Sequence, residues 1–103
     1  FGPLIMFGMG GIFVELIKDV TFGVAPLSLS DIKGMVDSTY AGKLLKGYRG
    51  SQPADVDAVV DIIARLSQLA LNHPEIDELE INPLLVFKQG RGAISLDSRA
   101  IIK

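Results

Sequence analysis

Glu78-Leu79-Glu80-Ile81-Asn82-Pro83-Leu84-Leu85-Val86-Phe87-Lys88-Gln89-Gly90-Arg91-Gly92-Ala93-Ile94-Ser95-Leu96-Asp97-Ser98-Arg99 is the stretch that decides the architecture of this chain. It reads as strands over Glu78 to Asn82, Leu84 to Lys88 and Gly92 to Arg99, with Gln89-Gly90 as a two-residue turn. If Gln89 and Gly90 are the central turn residues, Lys88 pairs with Arg91, and counting outward sets Asn82 opposite Asp97. Side chains directly opposite on an antiparallel pair lie ~4.5–5.5 Å apart at Cβ. Glu80, two residues before Asn82, points the same way. The pairing depends on register, because a slip of one residue sends Asp97 to the other face.

Immediately before this stretch the spacing predicts a long helix from Pro53 to Asn72. Pro53 suits its first turn, and Asp55 and Asp57 complement the positive end of the helix dipole. Val56, Val59, Val60, Ile63, Leu66 and Ala70 form a buried stripe, whereas Asp57, Asp61, Arg65 and Gln68 form a wet face, with Asp61 and Arg65 paired at i,i+4. His73-Pro74 ends it.

Further upstream, Ser28 and Asp31 make a capping box for a helix that buries Ile32, Met35 and Val36. Tyr40 to Leu45 adds a short helical turn, and Lys46 to Gly50 is a loop framed by glycines. Pro3 to Phe7 and Gly11 to Lys18 are strand-like runs around Gly8-Met9-Gly10-Gly11, which reads as a hairpin, and Val20 to Ala25 is a third strand. Strands, helices and then strands indicate an α+β fold with a largely antiparallel sheet packed against helices.

The 103 residues suffice for one domain, and 49% apolar content supplies a core. Ten basic against 12 acidic residues leave a net charge of −2, with no basic run to neutralise a phosphate backbone, so no nucleic-acid partner is expected. No apolar stretch reaches the ~20 residues that span a bilayer, and no membrane partner is expected. Cysteine is absent, which removes thiolate chemistry and disulfides and fits a cytoplasmic setting. Phe1 in place of an initiator Met suggests a single subdomain, residues 1–103, cut from a longer protein.

Asn82, Asp97 and Glu80 are the candidate chemistry. An amide oxygen and one or two carboxylates, without His or Cys, form a hard-oxygen set that suits Mg²⁺, which keeps several waters and takes substrate phosphates as further ligands. The pattern also accommodates Asn82-Pro83 as a turn and Asp97 as a surface charge. Glu15 is the lone carboxylate of an apolar strand, and edge or solvent-facing groups account for most such residues. Backbone N–H groups around Gly10 and Gly11 could meet an anion, although a hairpin turn explains the glycines equally well. Arg49 could hold a phosphate or carboxylate, with a plain surface role as the default. His73, at a helix end before Pro74, is read as neither catalytic base nor phosphorylated nucleophile.

Several motifs, taken together, resemble the C-terminal ATP-grasp subdomain of ADP-forming acyl-CoA synthetases. They are Phe7-Gly8-Met9-Gly10-Gly11-Ile12-Phe13-Val14-Glu15, Lys18-Asp19-Val20, Ala25-Pro26-Leu27, Leu44-Leu45-Lys46-Gly47-Tyr48-Arg49-Gly50 and Leu66-Ser67-Gln68-Leu69-Ala70. The most specific is Glu80-Ile81-Asn82-Pro83-Leu84-Leu85-Val86 followed by Leu96-Asp97-Ser98-Arg99. The chain is also similar to the β subunit of succinyl-CoA synthetase. The resemblance implies the second half of an ATP-grasp fold that binds Mg²⁺ and ATP or ADP. It further implies reversible phosphoryl transfer to a histidine outside this chain, coupled to acyl-CoA and ATP interconversion. Asn82 and Asp97 match Mg²⁺-binding positions, Glu80 matches an acidic position beside the metal, and Glu15 lies on a strand facing the same cleft. The implied partners are the other ATP-grasp half, the CoA-binding and ligase domains, CoA and a carboxylic acid, in an oligomer. Gly23 stands after Phe22 where that family commonly carries Arg.

Two other classes remain open: a regulatory, non-catalytic ATP-grasp-like domain attached to a protein lysine acetyltransferase, and a plain packing or dimerisation module.

Overall fold

The computed structural model describes residues 2–9, 19–47 and 50–103. Within them the chain runs β1 (Leu4–Gly8), β2 (Val20–Val24), α1 (Leu29–Asp37), α2 (Tyr40–Leu45), α3 (Val56–Asn72), β3 (Ile76–Ile81), β4 (Leu84–Val86), β5 (Ala93–Ser95) and β6 (Ser98–Ile102). All three strand pairs are antiparallel: β1 with β2, β3 with β6, and β4 with β5. The α+β architecture therefore holds, built from two-stranded ribbons against helices. The strand read over Gly11 to Lys18 lies outside the described residues, and the described partner of β1 is β2.

The core is made where α1 crosses α3. Ile32 and Val36 of α1 meet Val59, Val60 and Ile63 of α3, and Ile5, Phe7, Leu27, Leu45, Leu84 and Val86 pack around them. Burying such aliphatic side chains contributes roughly 1.5–3 kcal/mol apiece. Leu84 and Val86 fasten β4 to this helical layer. The strands beyond, β3 and β6, project from that anchor with mostly exposed residues.

α1 begins as the spacing predicts. The Asp31 backbone N–H donates to Ser28 Oγ at 3.0 Å, and the Ser28 N–H donates to Asp31 Oδ2 at 3.0 Å. α2 is capped twice. Thr39 Oγ1 accepts from the Gly42 N–H at 2.9 Å, while the Asp19 carboxylate accepts from the N–H groups of Tyr40 (2.7 Å) and Ala41 (2.9 Å). Asp19 thus ties the start of β2 to the first turn of a helix well downstream in the chain.

The long helix starts at Val56, three residues later than the Pro53 start read from sequence. Residues 53–55 are held by the hairpin instead: Ala54 bridges to Lys88, the Gln89 N–H donates to Pro53 O at 3.1 Å, and the Asp55 N–H donates to Phe87 O at 2.8 Å. Asp55 becomes the N-cap, accepting from the Ala58 N–H. The wet face is as expected, with Arg65 Nε 2.9 Å from Asp61 Oδ2. Ser67, 4% exposed, joins the buried stripe.

The C-terminal run also differs from a single strand over Gly92 to Arg99. It breaks at Leu96-Asp97 into β5 and β6 and continues to Ile102. β3 begins at Ile76, with a bulge between Ile76 and Glu78. On the β1–β2 ribbon, the face away from the helices carries the cross-strand pairs Leu4 with Val24 and Met6 with Phe22, all exposed. Gly23, on the inner face, lies so close to Leu27 and Met35 that an added Cβ would come within 2.8 Å of both.

Candidate functional site

β4 and β5 meet in a tight turn in which the Arg91 N–H donates to Lys88 O at 2.8 Å and Gly90 adopts φ +83°. That conformation is open to glycine at little cost. The turn sets the register: Val86 opposite Ala93, Leu85 opposite Ile94, Leu84 opposite Ser95. The same register resumes in the outer ribbon with Ile81 opposite Ser98 and Glu80 opposite Arg99.

Two hydrogen bonds bridge the gap between the ribbons. The Leu96 N–H donates to Pro83 O at 3.0 Å, and the Asn82 N–H donates to Asp97 O at 2.9 Å. Asn82 and Asp97 are therefore opposite one another, as the count from the turn predicts. They occupy the break where Asn82-Pro83, a cis peptide, interrupts one strand and Asp97 the other. Ser95 Oγ donates to Asp97 O at 3.0 Å, which ties down the backbone of the Asp97 corner.

Glu80 sits beside this pair and is already engaged. Arg99 Nε lies 3.2 Å from Glu80 Oε2, and Asn82 Nδ2 lies 3.5 Å from Glu80 Oε1. An amide whose NH₂ side faces a carboxylate turns its oxygen away from it. Asn82 Oδ1 then faces away from Glu80, at an exposed position. The Arg99 partner was not singled out from sequence, although the count that pairs Asn82 with Asp97 also pairs Glu80 with Arg99.

Among the described residues no group of three or more His, Cys, Asp or Glu side chains converges as a metal cage. The local donor set is one amide oxygen and one carboxylate, with a second carboxylate nearby. That fits Mg²⁺ held jointly by protein and substrate phosphates, and does not fit a metal enclosed by protein alone. Gly10, Gly11, Glu15 and Arg49 lie outside the described residues. His73 caps the C-terminus of α3, with Nδ1 2.9 Å from Glu75 Oε1. The Glu75 backbone N–H, and after it His73, hold the Glu75 carboxyl below its ordinary value.

A model of the ATP-grasp domain matches residues 1–102. The chain belongs to the ATP-grasp domain family. Over 94 residues it is 47% identical to the ADP-forming acetate–CoA ligase I of Archaeoglobus fulgidus, covering 91% of this chain and 14% of that protein. Over 102 residues it is 45% identical to the β subunit of the ADP-forming acetate–CoA ligase I of Pyrococcus furiosus, covering 99% of this chain and 43% of the subunit. The ATP-grasp chain thus spans less than half the length of the curated relatives it matches.

The dinucleotide-forming acetyl-coenzyme A synthetase 1 of Candidatus Korarchaeum cryptofilum superposes with a TM-score of 0.92 at 42% identity, over 100% of this chain and 47% of that one. That structure holds coenzyme A and Mg-AMPPCP, with its phosphohistidine segment pointing towards the nucleotide-binding site. Identity and superposition at this level cover the whole ATP-grasp half, hairpin included.

Proposed function

We propose that this chain is the ATP-grasp portion of an ADP-forming acyl-CoA synthetase, an acid–thiol ligase, and that it holds the Mg²⁺ of bound ATP or ADP through Asn82 and Asp97. The observation that carries the reading is the Asn82–Asp97 pairing at the hairpin break, fixed by the 2.9 Å bond from the Asn82 N–H to Asp97 O. Phosphoryl transfer asks little covalent chemistry of the protein and depends on positioning and charge neutralisation. A bound Mg²⁺ would supply that neutralisation at the terminal phosphates. The chain's part is to present Asp97 as the anionic ligand and Asn82 Oδ1 as the neutral one, with Glu80 and Arg99 fixing the amide.

The reaction is the reversible interconversion of acyl-CoA, ADP and phosphate with carboxylic acid, CoA and ATP, through a phosphorylated histidine supplied by another part of the enzyme. Relatives that are acetate–CoA ligases support this substrate class. The exposed Leu4, Met6, Phe22 and Val24 face suits packing against the remaining ATP-grasp half and the CoA-binding domains of an oligomeric enzyme. The absence of cysteine suits a cytoplasmic enzyme. No described helix is long and apolar enough to cross a membrane.

The complete enzyme carrying this chain is to be assayed for ATP formation from ADP and phosphate with a panel of acyl-CoAs, as wild type, Asn82→Ala and Asp97→Ala. Activity in the wild type and its loss in both folded variants supports the reading. An inactive wild type, or variants with undiminished turnover, contradicts it.

A further inference from the structure

Asp55 is 8% exposed, and its contacts go to the first turn of α3 and to both arms of the hairpin. Oδ1 accepts from the Ala58 N–H at 3.1 Å and caps α3. Oδ2 accepts from the Gly92 N–H at 2.7 Å, thirty-seven residues away. Its own N–H donates to Phe87 O at 2.8 Å, and the Phe87 N–H donates in turn to Gly92 O at 3.0 Å. Asp55 therefore grips both arms of the hairpin just inside its turn, one with its backbone and the other with its side chain, and anchors both to the first turn of a helix that lines the core.

From Gly92 an unbroken ladder leads to the candidate metal pair. Ala93, Ile94 and Ser95 pair with Val86, Leu85 and Leu84. The Leu96 N–H then bonds to Pro83 O, and Asp97 O accepts from the Asn82 N–H. A paired ribbon this short moves nearly as a unit, so its angle against the helices sets where Asn82 and Asp97 stand relative to the rest of the fold. Three things define that angle: the apolar contact of Leu84 and Val86, which tolerates sliding, the backbone pairing of residues 53–55 with Phe87, Lys88 and Gln89 on one arm, and the directional Asp55 side-chain bond to Gly92 on the other.

We propose that Asp55 is a positioning residue for the Asn82–Asp97 pair, clamping the hairpin to α3 at Gly92 so that the two ligands are presented to the Mg²⁺ of the nucleotide. This role rests on the metal reading of Asn82 and Asp97. A helix cap alone would need one oxygen. The second, on Gly92, serves the hairpin, and a buried carboxylate meeting two backbone N–H groups satisfies both.

The separating variant is Asp55→Ser in the complete enzyme. A serine hydroxyl still caps the Ala58 N–H, but one short oxygen cannot also reach Gly92. Asp55→Asn, which keeps the shape and one acceptor oxygen, serves the same test should the serine variant not fold. Hydrogen exchange of the metal-free enzyme is measured over peptides spanning 82–97 and α3, alongside the Mg²⁺ concentration for half-maximal ATP formation. The proposal expects lost protection in 82–97 with α3 unchanged. It expects a rise of about tenfold in half-saturating Mg²⁺, the usual scale for losing a residue that orients metal ligands, with turnover recovered at saturating Mg²⁺. In an Asp97→Ala background the serine variant adds no further rise, because both act through one ligand.

Wild-type protection and Mg²⁺ dependence in the folded variants overturn the proposal. So does lost turnover with α3 deprotected and Mg²⁺ dependence unchanged, which marks Asp55 as a cap alone. If Asp97→Ala itself leaves Mg²⁺ dependence unaltered, the metal reading falls and takes this one with it. If Asp97→Ala responds and the Asp55 variants do not, only the positioning role is lost.

Discussion

Asn82 and Asp97 are joined across the hairpin by a backbone hydrogen bond of 2.9 Å at the one point where both strands are interrupted. A break in a ribbon frees side chains from strict alternation while the flanking register stays pinned, here by Leu84 with Ser95 on one side and Ile81 with Ser98 on the other. The two residues therefore stand opposite one another at a corner where both side chains are open to solvent, which the proposed sharing of a cation with a substrate requires.

Glu80 lies between Asn82 and Arg99, with Oε1 3.5 Å from Asn82 Nδ2 and Oε2 3.2 Å from Arg99 Nε. Both side chains are about half or more exposed, so the ion pair itself contributes at most about 1 kcal/mol. Glu80→Gln is expected to leave thermal unfolding nearly unchanged while raising half-saturating Mg²⁺ by about tenfold. Titrating Mg²⁺ against activity checks this. An effect as large as that of Asp97→Ala would instead make Glu80 a direct ligand.

Two helix glycines should respond to alanine with opposite signs. Gly34 in α1 faces open space, so Gly34→Ala is expected to stabilise by about 1 kcal/mol through helix propensity. At Gly42 an added Cβ would fall 1.8 Å from Val36 O, where α2 crosses the end of α1. Gly42→Ala is expected to destabilise by about 1–3 kcal/mol or to shift α2. Urea unfolding of both variants distinguishes them, and a stabilising Gly42→Ala would contradict the packing described.

The α1 capping box carries a pH dependence. The Ser28 backbone N–H, followed by its hydroxyl, holds the Asp31 carboxyl below its ordinary value of 3.8. A carboxylate depressed in the folded state stabilises above the unfolded pKa, and that contribution is lost as pH falls through the folded pKa. Asp31→Asn should therefore be less stable than wild type near neutrality, with the gap closing below about pH 4. Melting temperatures across that range test it, and a gap independent of pH contradicts it.

The hairpin register was legible in sequence because a two-residue turn leaves one way to count outward from Gln89-Gly90. The capping box of Ser28 and Asp31 and the wet face of Asp61 and Arg65 were legible because their partners lie within one helical turn. The start of α3 was not. Pro53 and Asp55 carry helix-start chemistry, but Ala54 is claimed by Lys88 and Asp55 by Phe87 and Gly92, and such long-range competition leaves no local trace. The break at Leu96-Asp97 is not marked in the sequence either, since no Gly or Pro stands at it on that strand. Glu80 stands out in the sequence for its charge, whereas its Arg99 partner emerges only when the register is carried two pairs beyond Asn82 and Asp97. Gly10, Gly11 and Glu15 remain expectations that the described residues do not reach.

The most direct test of the account is metal binding at the hairpin break. Mn²⁺ is substituted for Mg²⁺ in the complete enzyme with a non-hydrolysable ATP analogue, and its affinity is measured by electron paramagnetic resonance for wild type, Asn82→Ala and Asp97→Ala. Asp97→Ala is expected to weaken nucleotide-dependent Mn²⁺ binding by roughly a hundredfold and Asn82→Ala by less, as loss of an anionic and a neutral oxygen would. Wild-type Mn²⁺ affinity in both variants, with the fold intact, would mean that the metal is held elsewhere.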